Sequence, residues 1–460
     1  MTLLRDAAFL AAALAVSAWA AGRGFRPLLA GLSRAERLAW SLALGLGIEI
    51  TVFMAVMAAG ARPGPLPMAA GLATVLLASA FAARFRAPVE EGARGLAALL
   101  LAVSAAAALL FAIAALSEPM WSNDFLAIWG LKGKTIALSG AIPSRLFHDP
   151  MTRWSHPEYP LFVPLALAAS SAAIGAWNDQ ALALVYPVFQ IVVLAALYGA
   201  TKRRTGAAAA ALAALVAACF FGFFRAFGAG MADIPLAAFL VLFATAMIDF
   251  IDAPSRPAGA RLAISSLLCA ATKQEGSLFV LIACAWGASF ALRRSRPRIV
   301  PFLALTAVPV LLHQLVLTAV RGWIADRDYD WTLVRAGAAL VPRAAAVAGS
   351  VLRDSLRPEA IPLAALAGFL LLARPAGGAR TLALLGPPIA LQLAVYGAVC
   401  VFSAYDPAWQ AQFIPRLAAT LFPVLLLAAG PRLEFVLGGA DAARPGAGES
   451  PSLLLKSSPE

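Results

Sequence analysis

Apolar residues in this chain come in long unbroken runs, parted by short arginine-rich stretches or by aromatic and acidic ones. Runs at 7–22, 38–60, 66–83, 96–116, 180–200, 207–224, 234–250, 300–320, 359–373, 381–401 and 417–438 have the length and hydropathy of membrane helices, which need about 20 apolar residues each. Three further runs, 161–175, 262–272 and 277–292, are short for routine spans. The last two meet at Lys273-Gln274-Glu275-Gly276. The pattern predicts an all-α polytopic membrane protein of roughly 11–13 transmembrane helices. Its N-terminal helices occupy 1–95, a core occupies 96–430, and the end of the last helix with a disordered cytoplasmic tail occupies 431–460.

Composition agrees with this reading. Hydrophobic residues make up 62% of the chain and charged residues only 13%, against about a quarter charged in soluble proteins, and the mean hydropathy is +0.83. No soluble domain of ordinary size remains. The net charge of +12 does not imply nucleic acid, because the arginines fall in short clusters between apolar runs, where topology alone requires them. Cys219, Cys269, Cys284 and Cys400 lie within apolar runs without metal-ligand spacing and read as packed thiols. The first residues have the small-residue end of a signal peptide, but Asp6 and the immediate continuation into further spans favour a retained first helix.

The clusters Arg23/Arg26/Arg34/Arg37, Arg84/Arg86/Arg94, Lys202/Arg203/Arg204, Arg293/Arg294/Arg296/Arg298 and Arg374/Arg380 are expected in the cytoplasm. One arrangement satisfies all of them. It makes 161–175 a re-entrant or surface helix, and 262–272 with 277–292 a pair that runs outward and back. The segments 118–160, 225–233, 273–276, 321–358 and 402–416 then emerge together on the non-cytoplasmic side. They hold nearly every unusual polar residue of the chain.

The first of these, closing one long outer loop over 117–160 with surface helices, carries Asp124, His148, Asp149, His156 and Glu158 among Trp121, Trp129, Trp154 and Tyr159. Asp124 has the position of a general base at the membrane surface, where partial desolvation favours proton uptake. It, Ser122 or Asn123 is equally placed to cap a helix over 125–138. Lys132 lies eight residues on, roughly on the face of Asp124, and with Lys134 suits phosphate contact or snorkelling into headgroups. His148, Asp149, His156 and Glu158 are possible ligands for a divalent metal, though their spacing matches no strong motif. Asp233, before Pro235, is a second outer acid or another cap. Lys273 and Glu275 are ionisable groups at an apolar turn, functional by default or simply paired with each other. Arg416, after Tyr405, Asp406 and Trp409, has the planar fork that binds phosphate, or serves as an interfacial anchor. There is no P-loop, GxGxxG, GxSxG or HExxH, so nucleotide-driven transport and serine or zinc hydrolysis lack support.

The order of these elements resembles the GT-C superfamily of membrane glycosyltransferases. An acid follows an early span in WSNDFLAIWGLKGK, HPEYP closes the loop, a basic TKRRTG follows, then MADIP, the ATKQEG turn, and YDPAWQ with PRL and LFP. More narrowly it is similar to bacterial proteins of the dolichyl-phosphate-mannose-protein mannosyltransferase type, over roughly residues 96–430. The resemblance implies a GT-C-like bundle in a bacterial inner membrane, its site facing the periplasm or exterior. It implies a polyprenyl-phosphate-linked sugar as donor and a glycan, lipid or protein as acceptor. Asp124 would be the catalytic base and Asp233 a second catalytic acid, with Trp121, Lys132, His156, Glu158, Tyr159, Lys273, Glu275 and Arg416 binding substrate. Many relatives carry paired acids in the first loop. Asn123-Asp124 stands here instead, which argues against a two-carboxylate metal site. The alternative is a transporter or flippase of lipid-linked glycans that breaks no bond.

Overall fold

The computed structural model describes residues 2–80, 93–144, 146, 155–220, 230–321, 337–354, 361–372 and 379–437, so His148, Asp149, Trp154 and the C-terminal tail lie outside the described residues. Every extended element among them is a helix. Among the described residues eight helices are long and apolar enough to cross a membrane, and counting the bent pair Pro407–Ala419 with Phe422–Val436, which turns through 49°, as one span gives nine. Four shorter apolar helices include Ala207–Cys219 and Pro65–Ala80, the second of which runs into undescribed residues. The chain therefore has the character of a polytopic membrane protein, with fewer full-length spans among the described residues than its apolar runs suggest.

At the centre stands the helix Asp233–Asp252, apolar all round between its acidic ends and almost wholly buried. A helix without a polar face has to be covered on every side. Val185–Lys202, Arg256–Thr272 and Phe422–Val436 cover this one, and Phe162, Phe189 and Phe239 interlock edge to face at its upper half. The two short runs around Lys273 belong to longer helices, Arg256–Thr272 and Gln274–Arg293, because Ser255 caps the first and small polar residues extend both. Lys273 is the single extended residue between them, with φ −158° and ψ 152°. A side chain at Gly276 would meet the Cys269 carbonyl oxygen at 2.2 Å, so only glycine lets the two helices close this tightly. Phe162–Ile174 is buried along most of its length, which excludes a surface helix there. The first helix, Thr2–Gly24, packs tightly on Arg34–Ala58, where Gly45 meets the Ala18 backbone. Cys269, Cys284 and Cys400 are buried as expected, whereas Cys219 ends its helix exposed.

Three of the basic clusters send arginines to the Asp249 end of the central helix, while Arg84, Arg86 and Arg374 lie outside the described residues. Arg203 grips Glu36 with Nε at 2.7 Å and Nη2 at 2.6 Å, and reaches Asp249 at 2.9 Å. Arg204 donates to Asp249 at 2.6 Å and to the Ala200 carbonyl at 2.7 Å. Arg261 stands 3.7 Å from Asp249 and donates to the Leu28 carbonyl at 2.7 Å. Arg296 donates to the Ile251 carbonyl at 2.6 Å, and Arg380 pairs with Asp252. Ser33 and Glu36 close a capping box on Arg34–Ala58, so Glu36 serves a helix end and the ion-pair network together.

Candidate functional site

The opposite end of the central helix collects residues from four distant parts of the chain. The path begins at Ser122, whose hydroxyl accepts the Phe125 amide at 3.2 Å and so takes the capping role. Asp124 makes no cap bond. The next residues, Phe125–Trp129, form a π-helical turn before the α-helix Gly130–Ser139 begins. Such turns are rare and often lie at functional sites. Gly230, at φ 98°, crosses directly over this turn, and a side chain there would strike the Phe125 Cβ at 2.5 Å. That close approach sets the start of the Asp233 helix beside Asp124.

Asp233 caps nothing either, since Ala232 holds the cap position. Its carboxylate is fully buried and shared by two cations. Arg416 donates to Oδ2 from Nη2 at 2.8 Å and from Nε at 3.2 Å, while Lys273 donates to Oδ1 at 3.3 Å. Arg416 also pairs with Asp124 through Nη2, and Lys273 lies 3.1 Å from Glu275. A continuous chain results, Asp124–Arg416–Asp233–Lys273–Glu275, with acids and bases alternating. Asp233 sits in the first turn of its helix, where the macrodipole favours a negative charge. Burial works against the Lys273 charge, but Asp233 and Glu275 outweigh it and hold the ammonium above its ordinary range. Arg416 belongs to the short helix Ile414–Ala419, ahead of the bend that leads into Phe422–Val436. Burial falls toward the two ends of the chain: Asp124 and Glu275 keep 25% and 20% of their side chains exposed, Arg416 and Lys273 15% and 5%, and Asp233 none.

A second cluster adjoins the first. His156 takes a left-handed backbone, φ 48°, and its Nδ1 lies 2.7 Å from Glu158 Oε1. Its ring stacks on Tyr159 at 4.7 Å, and Tyr159 stacks on buried Trp129 at 5.4 Å. Lys132 is completely buried and donates to the His156 carbonyl at 2.5 Å, with the Tyr159 ring 6.0 Å away. It therefore neither snorkels nor reaches the Asp124 pair, and the intervening π turn shifts the face that an unbroken α-helix would give it. Burial would raise the Glu158 carboxyl, but the bond to His156 and the nearby Lys132 charge bring it below its ordinary value. Gln274, which the sequence offered only as part of the ATKQEG turn, joins the two clusters by donating to the Glu158 carbonyl at 3.4 Å. Gln392 likewise supports the Glu275 carbonyl at 3.3 Å.

Trp121 is 69% exposed, and Tyr405 and Trp409 are about half exposed. Aromatic rings of this kind favour the membrane interface. Among the described residues Trp121 makes no hydrogen bond or ring contact that draws it into the ion-pair chain. Helix Gly337–Asp354 belongs to the same end, since Arg343 donates to the Val401 carbonyl at 2.7 Å and also binds the Ser403 carbonyl. Among the described residues no three histidine, cysteine or carboxylate side chains converge as a metal site, and two of the four ligands considered, His148 and Asp149, lie outside the described residues. Comparison with family models, with curated proteins and with solved structures finds no match to this chain.

Proposed function

We propose that the protein is a membrane glycosyltransferase of GT-C-like architecture that moves a sugar from a polyprenyl-phosphate donor to an acceptor hydroxyl on the non-cytoplasmic side. The observation that carries the reading is the ion-pair chain, which joins residues 124, 233, 273, 275 and 416 at one end of the bundle. Five ionisable residues from four separate segments need a common task, and a phosphate leaving group beside a carboxylate base supplies one.

In this mechanism Asp124 takes the proton of the acceptor hydroxyl as its oxygen attacks the anomeric carbon from the face opposite the phosphate. The bond from that carbon to the phosphate oxygen breaks, and polyprenyl phosphate departs with the electron pair. General-base help of this kind is worth about 10²- to 10⁴-fold. Arg416 and Lys273 stabilise the charge that grows on the leaving oxygens, and the buried Asp233 holds both cations in place. His156 and Tyr159, backed by the buried Trp129, form a wall beside the site, since aromatic faces suit the apolar face of a sugar ring. The exposed Trp121 suits the interfacial level at which a donor would enter.

Transport without bond chemistry is favoured by one feature. Glu49 is buried within the span Arg34–Ala58, with Ser17 at 2.9 Å as its partner, and intramembrane acids often serve transport. It lies in a different helix pair from the ion-pair chain.

Release of polyprenyl phosphate from a panel of radiolabelled polyprenyl-phosphate sugars, with membrane extract as acceptor, decides between the two. Release by the parent protein, reduced at least a hundredfold in Asp124→Asn, is the expected result. Folded parent protein that binds these lipids and releases nothing would overturn the glycosyltransferase reading.

A further inference from the structure

We propose that the ion-pair chain is an exchange site for a phosphate anion: Asp124 and Glu275 hold, in the unliganded protein, places on Arg416 and Lys273 that the oxygens of a polyprenyl phosphate take over. This rests on the reading of those two cations as phosphate-facing and adds how the phosphate gains access and what it does to the base.

The roles of the three acids divide by burial and attachment. Asp233 has no exposure and splits its two oxygens between the cations, Oδ2 to Arg416 and Oδ1 to Lys273. It is the fixed counter-ion. Asp124 and Glu275 are each bound to one cation only, and each is partly exposed. Ser122 performs the cap next to Asp124, and no side chain caps the helix that Glu275 opens, so both carboxylates can rotate to water without opening a helix end.

Charge gives the same division. Among the described residues, three acids against two cations leave the ion-pair chain at minus one, which repels an arriving anion. With Asp124 and Glu275 turned out to water, Asp233, Lys273 and Arg416 together carry plus one. That matches the single charge of a sugar–phosphate diester. When Asp124 lets go of Arg416, its oxygens become available to the acceptor hydroxyl, so the base is freed only while donor occupies the site. Once the sugar has left, the phosphate monoester carries more charge than the plus-one core neutralises, and the returning carboxylates compete it away.

The test is equilibrium binding of radiolabelled farnesyl phosphate to the full-length protein in nanodiscs, with inorganic phosphate and farnesol as competitors. Exchange predicts binding about tenfold tighter in Asp124→Asn, because a competing exposed ion pair is gone. It predicts severalfold tighter binding in Glu275→Gln and weaker binding in Arg416→Gln. Competition by farnesol and not by inorganic phosphate would assign the lipid form of the anion, and strong competition by inorganic phosphate would assign the free ion; exchange holds in either case. Unchanged or weaker binding in both Asp124→Asn and Glu275→Gln, each eluting as the parent does, overturns it. Should Asp124→Asn not fold, Glu275→Gln decides alone. Tighter binding in these variants, together with no sugar transfer by the parent protein from any donor, keeps the exchange and removes the catalytic reading, so the two fail separately.

Discussion

The central helix Asp233–Asp252 ends in two ion-pair networks that differ in the ratio of acids to bases. Among the described residues, three arginines at the Asp249 end serve two acids, Glu36 and Asp249, and Arg204 and Arg261 are each tied as well to a backbone carbonyl. At the Asp233 end three acids serve two cations, and the outermost acids are partly exposed. The first network has two of its three cations fixed to the backbone, which suits an anchor. In the second, partners can change. Equal chemistry at the level of single pairs thus yields a fastening at one end and a candidate site at the other.

The sharpest way to break this comparison is to remove the buried carboxylate at the site end. Asp233→Ala leaves Lys273 and Arg416 without their common counter-ion, and breaking a buried pair in this way costs about 3–5 kcal/mol. Unfolding in nanodiscs should show that loss together with the loss of sugar transfer. Arg203→Met at the anchor end should cost somewhat less, about 3 kcal/mol, because Arg204 and Arg261 still face Asp249, and it should leave turnover per folded molecule within about twofold of the parent. A large drop in turnover for Arg203→Met would erase the distinction between the ends. Lys132→Met removes a charged donor from the His156 carbonyl and should lower stability by about 2 kcal/mol, read by the same unfolding assay.

Two smaller effects sharpen the picture of the site's wall and entrance. Glu158 is held below its ordinary value of 4.5 in the folded protein. A carboxyl so depressed lends stability above its unfolded value and loses that contribution as pH falls through the folded one. Thermal midpoints of the parent should therefore exceed those of Glu158→Gln near neutrality, and the gap should close in acid below that value. A gap that widened in acid would place the stabilising charge elsewhere. Ser122→Ala removes the cap beside Asp124 and should cost about 1 kcal/mol, with a rise in donor KM if the turn positions the base.

Much of this arrangement was legible in the sequence. Hydropathy located the helices, and arginine clusters alone predicted which segments would share an end; residues 124, 233, 273, 275 and 416 do meet there. The contacts between them were not legible. Nothing in the spacing of Asp124 and Lys132 announces a π turn, which arises where Phe125 packs against Gly130 and Gly230 crosses above. The burial of Lys132 depends on the His156 carbonyl 24 residues away. Cap or site was undecidable for Asp124 and Asp233, because each stands at a helix start and only the position of Arg416, far along the chain, draws both carboxylates to itself. Gln274 looked like turn filling because its partner is a backbone carbonyl, which carries no sequence signature.

The central helix is also a gauge. Its 20 residues span about 30 Å at 1.5 Å per residue, which is the thickness of a bilayer's hydrocarbon core. Acids at both ends fix it against sliding, since either end drawn into lipid would carry charge with it. A thicker membrane has to thin around this protein and a thinner one has to tilt it, so the depth at which the proposed lipid-linked donor would meet Asp124 is set by the length of one helix, and turnover should peak in bilayers whose acyl chains match that length.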